Sequence, residues 1–191
     1  MFSNVVNRAV AAGLLLFLAI FQFFMFFRVA ESIYPGYSVS NNYISDLGVG
    51  PAAGVFNSSI ILLGLGVMAA AYLALPAFKS RVLSILVGLA GFGATGVGVF
   101  PENVPVLHTV MSFITFFFAG IAALYGARVF KQSMGLLSII SGLTSLAALI
   151  LFATGNYLGL GHGGMERLIV YPVLAWGLMV AGYLLTAGRQ T

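Results

Sequence analysis

The chain has 191 residues, 61% of them hydrophobic and only 6% charged: eight Lys or Arg against four Asp or Glu, for a formal net charge of +4. A soluble domain carries about 25% charged residues, so this composition excludes an ordinary soluble enzyme and a disordered tail, while scattered cations without a basic stripe exclude a nucleic-acid partner. The absence of cysteine removes disulfides, zinc–thiolate sites and thiol catalysis.

A membrane span takes roughly 20 predominantly apolar residues, and the chain contains six such runs. The first, Ala9–Phe27, is too long for a signal-peptide core, and Arg28 stands where cleavage after Ala30 would need a small residue. It is read as a retained helix whose phenylalanines (Phe17, Phe21, Phe23, Phe24, Phe26, Phe27) face lipid. Residues 30–52 form a long connection rich in Tyr, Asn and Pro, suited to an interfacial cap or an ordered linker. The second run, Ala53–Leu75, ends before Pro76. The third, Val82–Phe100, and the fourth, Pro105–Ala127, are separated by a turn bracketed by Pro101 and Pro105. The fifth, Met134–Thr154, gives way at Gly155 to a Gly-rich loop, and the sixth is Leu168–Ala187. The expected fold class is all-α: one polytopic transmembrane domain over residues 1–191, a bundle of six helices.

Arg8, Lys79, Arg81, Arg128, Lys131 and Arg189 all fall on one side of such a topology. The positive-inside rule makes that side cytoplasmic, with both termini inside and the protein multi-pass in the cell membrane. Arg28, Glu31, Asp46, Glu102, His108, His162, Glu166 and Arg167 belong to the opposite, outer face. Leu83-Ser84-Ile85-x-x-Gly88-Leu89 recurs as Leu137-Ser138-Ile139-x-x-Gly142-Leu143, and the same offset carries His108 onto His162. Runs 3–4 and 5–6 are therefore read either as related hairpins or as chance likeness between apolar segments. Small residues at helical spacing (Ala90, Ala94, Gly98; Ala119, Ala123, Ala127; Ser138, Gly142; Gly177, Ala181) mark close helix packing.

Ionisable groups at a membrane edge are costly and so are functional candidates. His108 is expected just inside the fourth helix with Ser112 one turn deeper, and Glu102 precedes it within reach of the imidazole. His162 and Glu166 are placed in the Gly-rich loop. Together with Asp46 these residues suit general acid–base work or a divalent metal. The alternative reading has the acids favouring helix N-termini, Arg167 paired with a carboxylate and the histidines satisfied at the interface. No HxxxH, HExxH or DxD spacing is present, so the residues fix neither a metal nor another cofactor. Asn57 and Gln22, the remaining polar groups inside spans, are expected to hydrogen-bond to neighbouring helices.

Ile44-Ser45-Asp46-Leu47-Gly48 followed by Phe56-Asn57, then Pro101-Glu102 with His108 and Ser112, then Gly164-Met165-Glu166-Arg167, resemble the polar signatures of a prokaryotic six-helix membrane family catalogued as domain of unknown function 998. The resemblance spans nearly the whole chain and implies a topology and a set of candidate positions, not a reaction. The layout is distantly similar to membrane hydrolases of the ceramidase and adiponectin-receptor type. Those use seven spans and a zinc held by three histidines; with six spans and two histidines, that site does not carry over.

The preferred expectation is an outward polar pocket that binds or modifies a lipid, isoprenoid or other amphiphile. His108 would act as acid/base or ligand, Glu102 and Glu166 as its carboxylate partners and Asp46 as an orienting group. Arg28 and Arg167 would hold an anionic headgroup, with His162, Ser112 and Asn57 as further ligand contacts. The second expectation is a non-catalytic scaffold or accessory subunit among other membrane subunits. The third is a small transporter or channel, ranked last because the inner halves of the helices lack acids. Whether the protein is an enzyme is left open.

Overall fold

The computed structural model describes residues 2–186, and among them six helices are long and apolar enough to cross a membrane. They are α1 (Phe2–Ile33), α2 (Ala53–Phe78), α3 (Arg81–Val99), α4 (Pro105–Gly126), α5 (Gln132–Ala153) and α6 (Gly161–Thr186). In hydrocarbon every backbone N–H and C=O must be satisfied inside its own segment, which leaves the helix as the available form for such runs. The breaks follow local chemistry. α2 stops at Lys79, which takes a left-handed conformation, and the Ser80 hydroxyl caps α3 by accepting from the Leu83 amide at 3.2 Å. Pro105 opens α4 at the position where its missing N–H is not needed.

Each helix packs on the next in chain order and α6 closes back on α1, with α4 touching α6 in front of α5. The bundle is therefore a ring in which α5 stands outside. Arg8, the Lys79–Arg81 turn and the Arg128–Lys131 turn lie at one end; Arg189, beyond α6, and Ala187, the expected end of the last span, lie outside the described residues. Glu31, Asp46, Glu102 and Glu166 lie at the opposite, capped end, where residues 34–52 fold over the ring with two 3-10 turns, Ser45–Gly48 and Gly50–Ala52.

Helices α2 to α5 begin and end within three residues of the second to fifth apolar runs. The first and last do not. α1 continues to Ile33, which puts Arg28 and Glu31 on a helix. α6 begins at Gly161, so His162, Glu166 and Arg167 stand on its first turns and not in a Gly-rich loop. Composition misled here because the glycines serve packing: residues 38–42 lie directly on them, and the Gly163 amide donates to the Ser40 carbonyl at 2.9 Å. The phenylalanines of α1 also divide. Phe17, Phe21 and Phe26 are exposed toward the lipid, whereas Phe23 and Phe27 are buried in the core.

Small residues set the helix spacing. A Cβ added at Gly91 would lie 2.7 Å from the Gly64 carbonyl oxygen and 3.0 Å from the Met68 amide nitrogen, both backbone atoms of α2. Gly91→Ala must push α3 from α2 and is expected to cost about 1–3 kcal/mol, read as a lowered thermal midpoint in detergent. Gly88→Ala on the same helix meets open space and is expected to leave the midpoint unchanged or raise it.

Candidate functional site

The capped end is organised by Arg167. Its guanidinium, on a side chain 5% exposed, donates to the carbonyls of Val39 and Gly163 at 2.9 Å each and to the Tyr37 hydroxyl at 2.7 Å. It also pairs with Glu31 at 2.9 Å, and Glu31 in turn holds Arg28, whose side chain is 74% exposed, at 2.7 Å. The planar fork of arginine suits several fixed acceptors at once. One residue of α6 thus fastens both the loop and the end of α1. Burial pushes the Tyr37 hydroxyl up to about 12 against the opposing pull of Arg167. It therefore stays protonated and donates to the Tyr43 carbonyl at 2.9 Å.

Beneath this clamp three carboxyl groups lie within electrostatic reach of one another. Asp46 accepts from Asn42 Nδ2 at 2.8 Å and from the Tyr43 amide at 3.0 Å, which closes the turn that presents Ile44 and Ser45. The Ile44 amide donates to Glu166 Oε2, and Glu166 is 6% exposed. Glu102, in the turn between α3 and α4, has the Asp46 carboxyl beside it and Glu166 within electrostatic reach. Burial raises the Glu102 carboxyl from its ordinary 4.5 to about 7, and Asp46 adds to the shift. A group that holds its proton more tightly when folded contributes stability below its unfolded pKa and loses it as pH rises through the folded one. The thermal midpoint is thus expected to fall between pH 4.5 and about 7, with a flatter profile in Glu102→Gln.

The remaining candidates are distributed around this centre. His108 is buried, and its Nδ1 lies 2.9 Å from the Phe100 carbonyl. It therefore carries its proton on Nδ1 toward the α3 terminus and meets that carbonyl, not the Glu102 side chain. His162 packs its ring on Tyr43, with centroids 4.4 Å apart, and near Tyr157 at 6.0 Å. Asn57 donates to the Gly48 carbonyl at 2.9 Å, tying the first 3-10 turn to α2, not to a neighbouring helix. Gln22 does bridge helices, donating to the Ser59 carbonyl of α2 at 2.9 Å. Among the described residues no group of three or more His, Cys, Asp or Glu has the geometry to hold a metal ion.

Below the carboxyl groups a cavity extends between the helices. Its wall comes from α1, α2, α3, α4 and α6 and is apolar apart from Ser45, Ser112, Thr115 and Glu166 toward the capped end and Trp176 further down. Trp176 turns its indole N–H outward, to Ser138 of α5 at 2.9 Å. Along α6 the lining extends from Glu166 to Leu184, about 27 Å at 1.5 Å per residue. Sequence reasoning names Glu166 and Ser112 as candidates, both of which line the cavity, and assigns no site role to Ser45, to Tyr37 or to Asn42. It also named Glu31 without its partner. The available signal was the Gly161-x-Gly163 pair, which marks where another backbone must lie.

No curated protein and no solved structure matches the chain. A family profile does, over residues 17–183, nearly the whole of the helical bundle. This multi-pass membrane protein belongs to the family described as Protein of unknown function (DUF998).

Proposed function

We propose that the protein binds or modifies a lipid or other amphiphile, held with its chain in the bundle cavity and its head beneath the loop cap. The observation that carries this reading is the cavity itself: lined by apolar side chains along the bundle, with a single buried carboxyl group toward its capped end. Water gains little by filling an apolar cavity, whereas an aliphatic chain matches its wall. Glu166 and Ser112 would touch the head. Asp46, through the turn it closes, and Glu102 would position them. Arg167 would act through the loop it fastens, His108 through the α3 terminus, and His162 and Asn57 by supporting the cap. Arg28 would stand at the rim. The small residues that motivate an accessory-subunit reading pack within the bundle, Gly177 against Ile20 and Gly142 against Leu124, which favours a self-contained unit.

The test is extraction of the protein purified in mild detergent, followed by mass spectrometry. One amphiphile enriched to near stoichiometry, and lost in Ala119→Phe, which fills the cavity, is the expected result. An extract matching the bulk membrane for both proteins would overturn the reading.

The cap is proposed to face outward and both termini the cytoplasm of the cell membrane, because the cations gather at the opposite end. The chain has no cysteine, so single introduced thiols report orientation. Asn41→Cys is expected to react with an impermeant maleimide in intact cells and Ser80→Cys only after lysis; the reverse pattern would invert the topology.

A further inference from the structure

The polar end of the cavity discriminates between head groups. Glu166 is the one ionisable side chain in its lining among the described residues. Its Oε2 is engaged by the Ile44 amide, while Oε1 has no protein partner among the described residues. The hydroxyls of Ser45 and Ser112, in the same lining, likewise make no hydrogen bond to the described protein. Ser112 stands seven residues into α4 and Glu166 five into α6, and both line the cavity near its capped end.

Among the described residues no cation lines the cavity. Arg167 lies within electrostatic reach of Glu166, but its terminal nitrogens turn to Glu31, Tyr37 and backbone carbonyls, its buried Nε alone lacking a partner among the described residues, and Arg28 is exposed at the rim. Asp46 and Glu102 lie within electrostatic reach of Glu166. A phosphate or carboxylate head would therefore be desolvated beside a cluster of carboxyl groups with no cation in the cavity lining, whereas a hydroxyl or ammonium would find free acceptors. We infer that the cavity takes a single-chain amphiphile whose head is a hydrogen-bond donor without negative charge, a long-chain alcohol or amine, seated on Glu166 and Ser112 with its chain running toward Leu184. This rests on the amphiphile reading and narrows it to a head-group class.

The test compares hexadecan-1-ol, hexadecylamine, hexadecanoate and hexadecyl phosphate on the full chain in detergent, by native mass spectrometry and thermal shift. The alcohol or amine is expected to bind at least about tenfold more tightly than either anion. Ala119→Phe is expected to abolish binding, and Glu166→Gln to remove the head-group preference, the amine losing more than the alcohol if charge pairing dominates. Ser112→Val, which disturbs no protein hydrogen bond, is expected to weaken both donors and serves if the Glu166 variant does not fold. Equal binding of all four heads that Ala119→Phe still abolishes would overturn the donor-head inference and leave the cavity reading standing. Binding by none of them, or binding indifferent to Ala119→Phe, would overturn both.

Discussion

Arg167→Met is expected to be among the most destabilising single changes in the protein, costing about 3–5 kcal/mol. The guanidinium is buried and joins Glu31, Tyr37, Val39 and Gly163 in one network. Removing it leaves the Glu31 carboxylate, 7% exposed, without its buried partner, and leaves loop carbonyls without a donor. Arg167→Lys is expected to recover little, because one ammonium cannot reach acceptors spread across a planar fork. The double variant Arg167→Met with Glu31→Gln is expected to be more stable than Arg167→Met alone, since it removes a buried carboxylate left with only the exposed Arg28. Thermal midpoints in detergent and protease sensitivity near Asn41 measure both effects. A loss within about 1 kcal/mol, the range of exposed pairs, would mean that the loop is not held by this residue.

Gly163→Ala is the second change with a large expected effect. A Cβ there would overlap the Asn42 carbonyl oxygen and lie 2.6 Å from that of Val39. Both are backbone atoms of the loop, so neither can rotate away as a side chain would. The loop must lift, breaking the bond from the Gly163 amide to Ser40 and the Arg167 contacts above it, at a cost of about 3 kcal/mol, the upper end for overpacking. Gly182→Ala, on the same helix with nothing near its added Cβ, is the matched control. It is expected to be neutral or to stabilise by up to about 1 kcal/mol. Lifting the cap would also expose Glu166, so ligand retention should fall together with the midpoint.

The sequence made the spans legible because lipid demands long apolar runs and the breaks carry proline, serine or glycine where physics requires them. It also placed the four acids at one end of the bundle, since topology alone separates them from the cations. What it hid depends on contacts distant along the chain. The start of α6 was obscured because Gly161 and Gly163 look like loop residues until residues 38–42 are known to lie on them. Gly161, at φ +74°, takes the left-handed conformation that glycine adopts most easily. The split of the α1 phenylalanines needs the direction in which each face of that helix packs, which the uniform apolarity of the run conceals. Arg167 is read from sequence either as a handle for an anionic head group or as paired with a carboxylate; that the carboxylate is Glu31 and that loop carbonyls share the guanidinium cannot be seen from a sequence separation of more than a hundred residues. The Leu-Ser-Ile repeat shows the same limit. Ser138 accepts from Trp176 at 2.9 Å, whereas Ser84 is buried with no partner among the described residues, so matched positions carry different work.

The central claim is that an amphiphile's chain lies inside the ring, and photolabelling tests it most directly. A hexadecanol bearing a diazirine at its chain terminus, irradiated with the full protein in lipid vesicles, is predicted to mark the deep lining on α2 and α6, around Ala70, Ala71 and Val180. The labelling should be competed by unlabelled hexadecanol and absent in Ala119→Phe. Labelling confined to lipid-facing side chains such as Leu18, Phe113 and Ile150, without competition, would contradict the account.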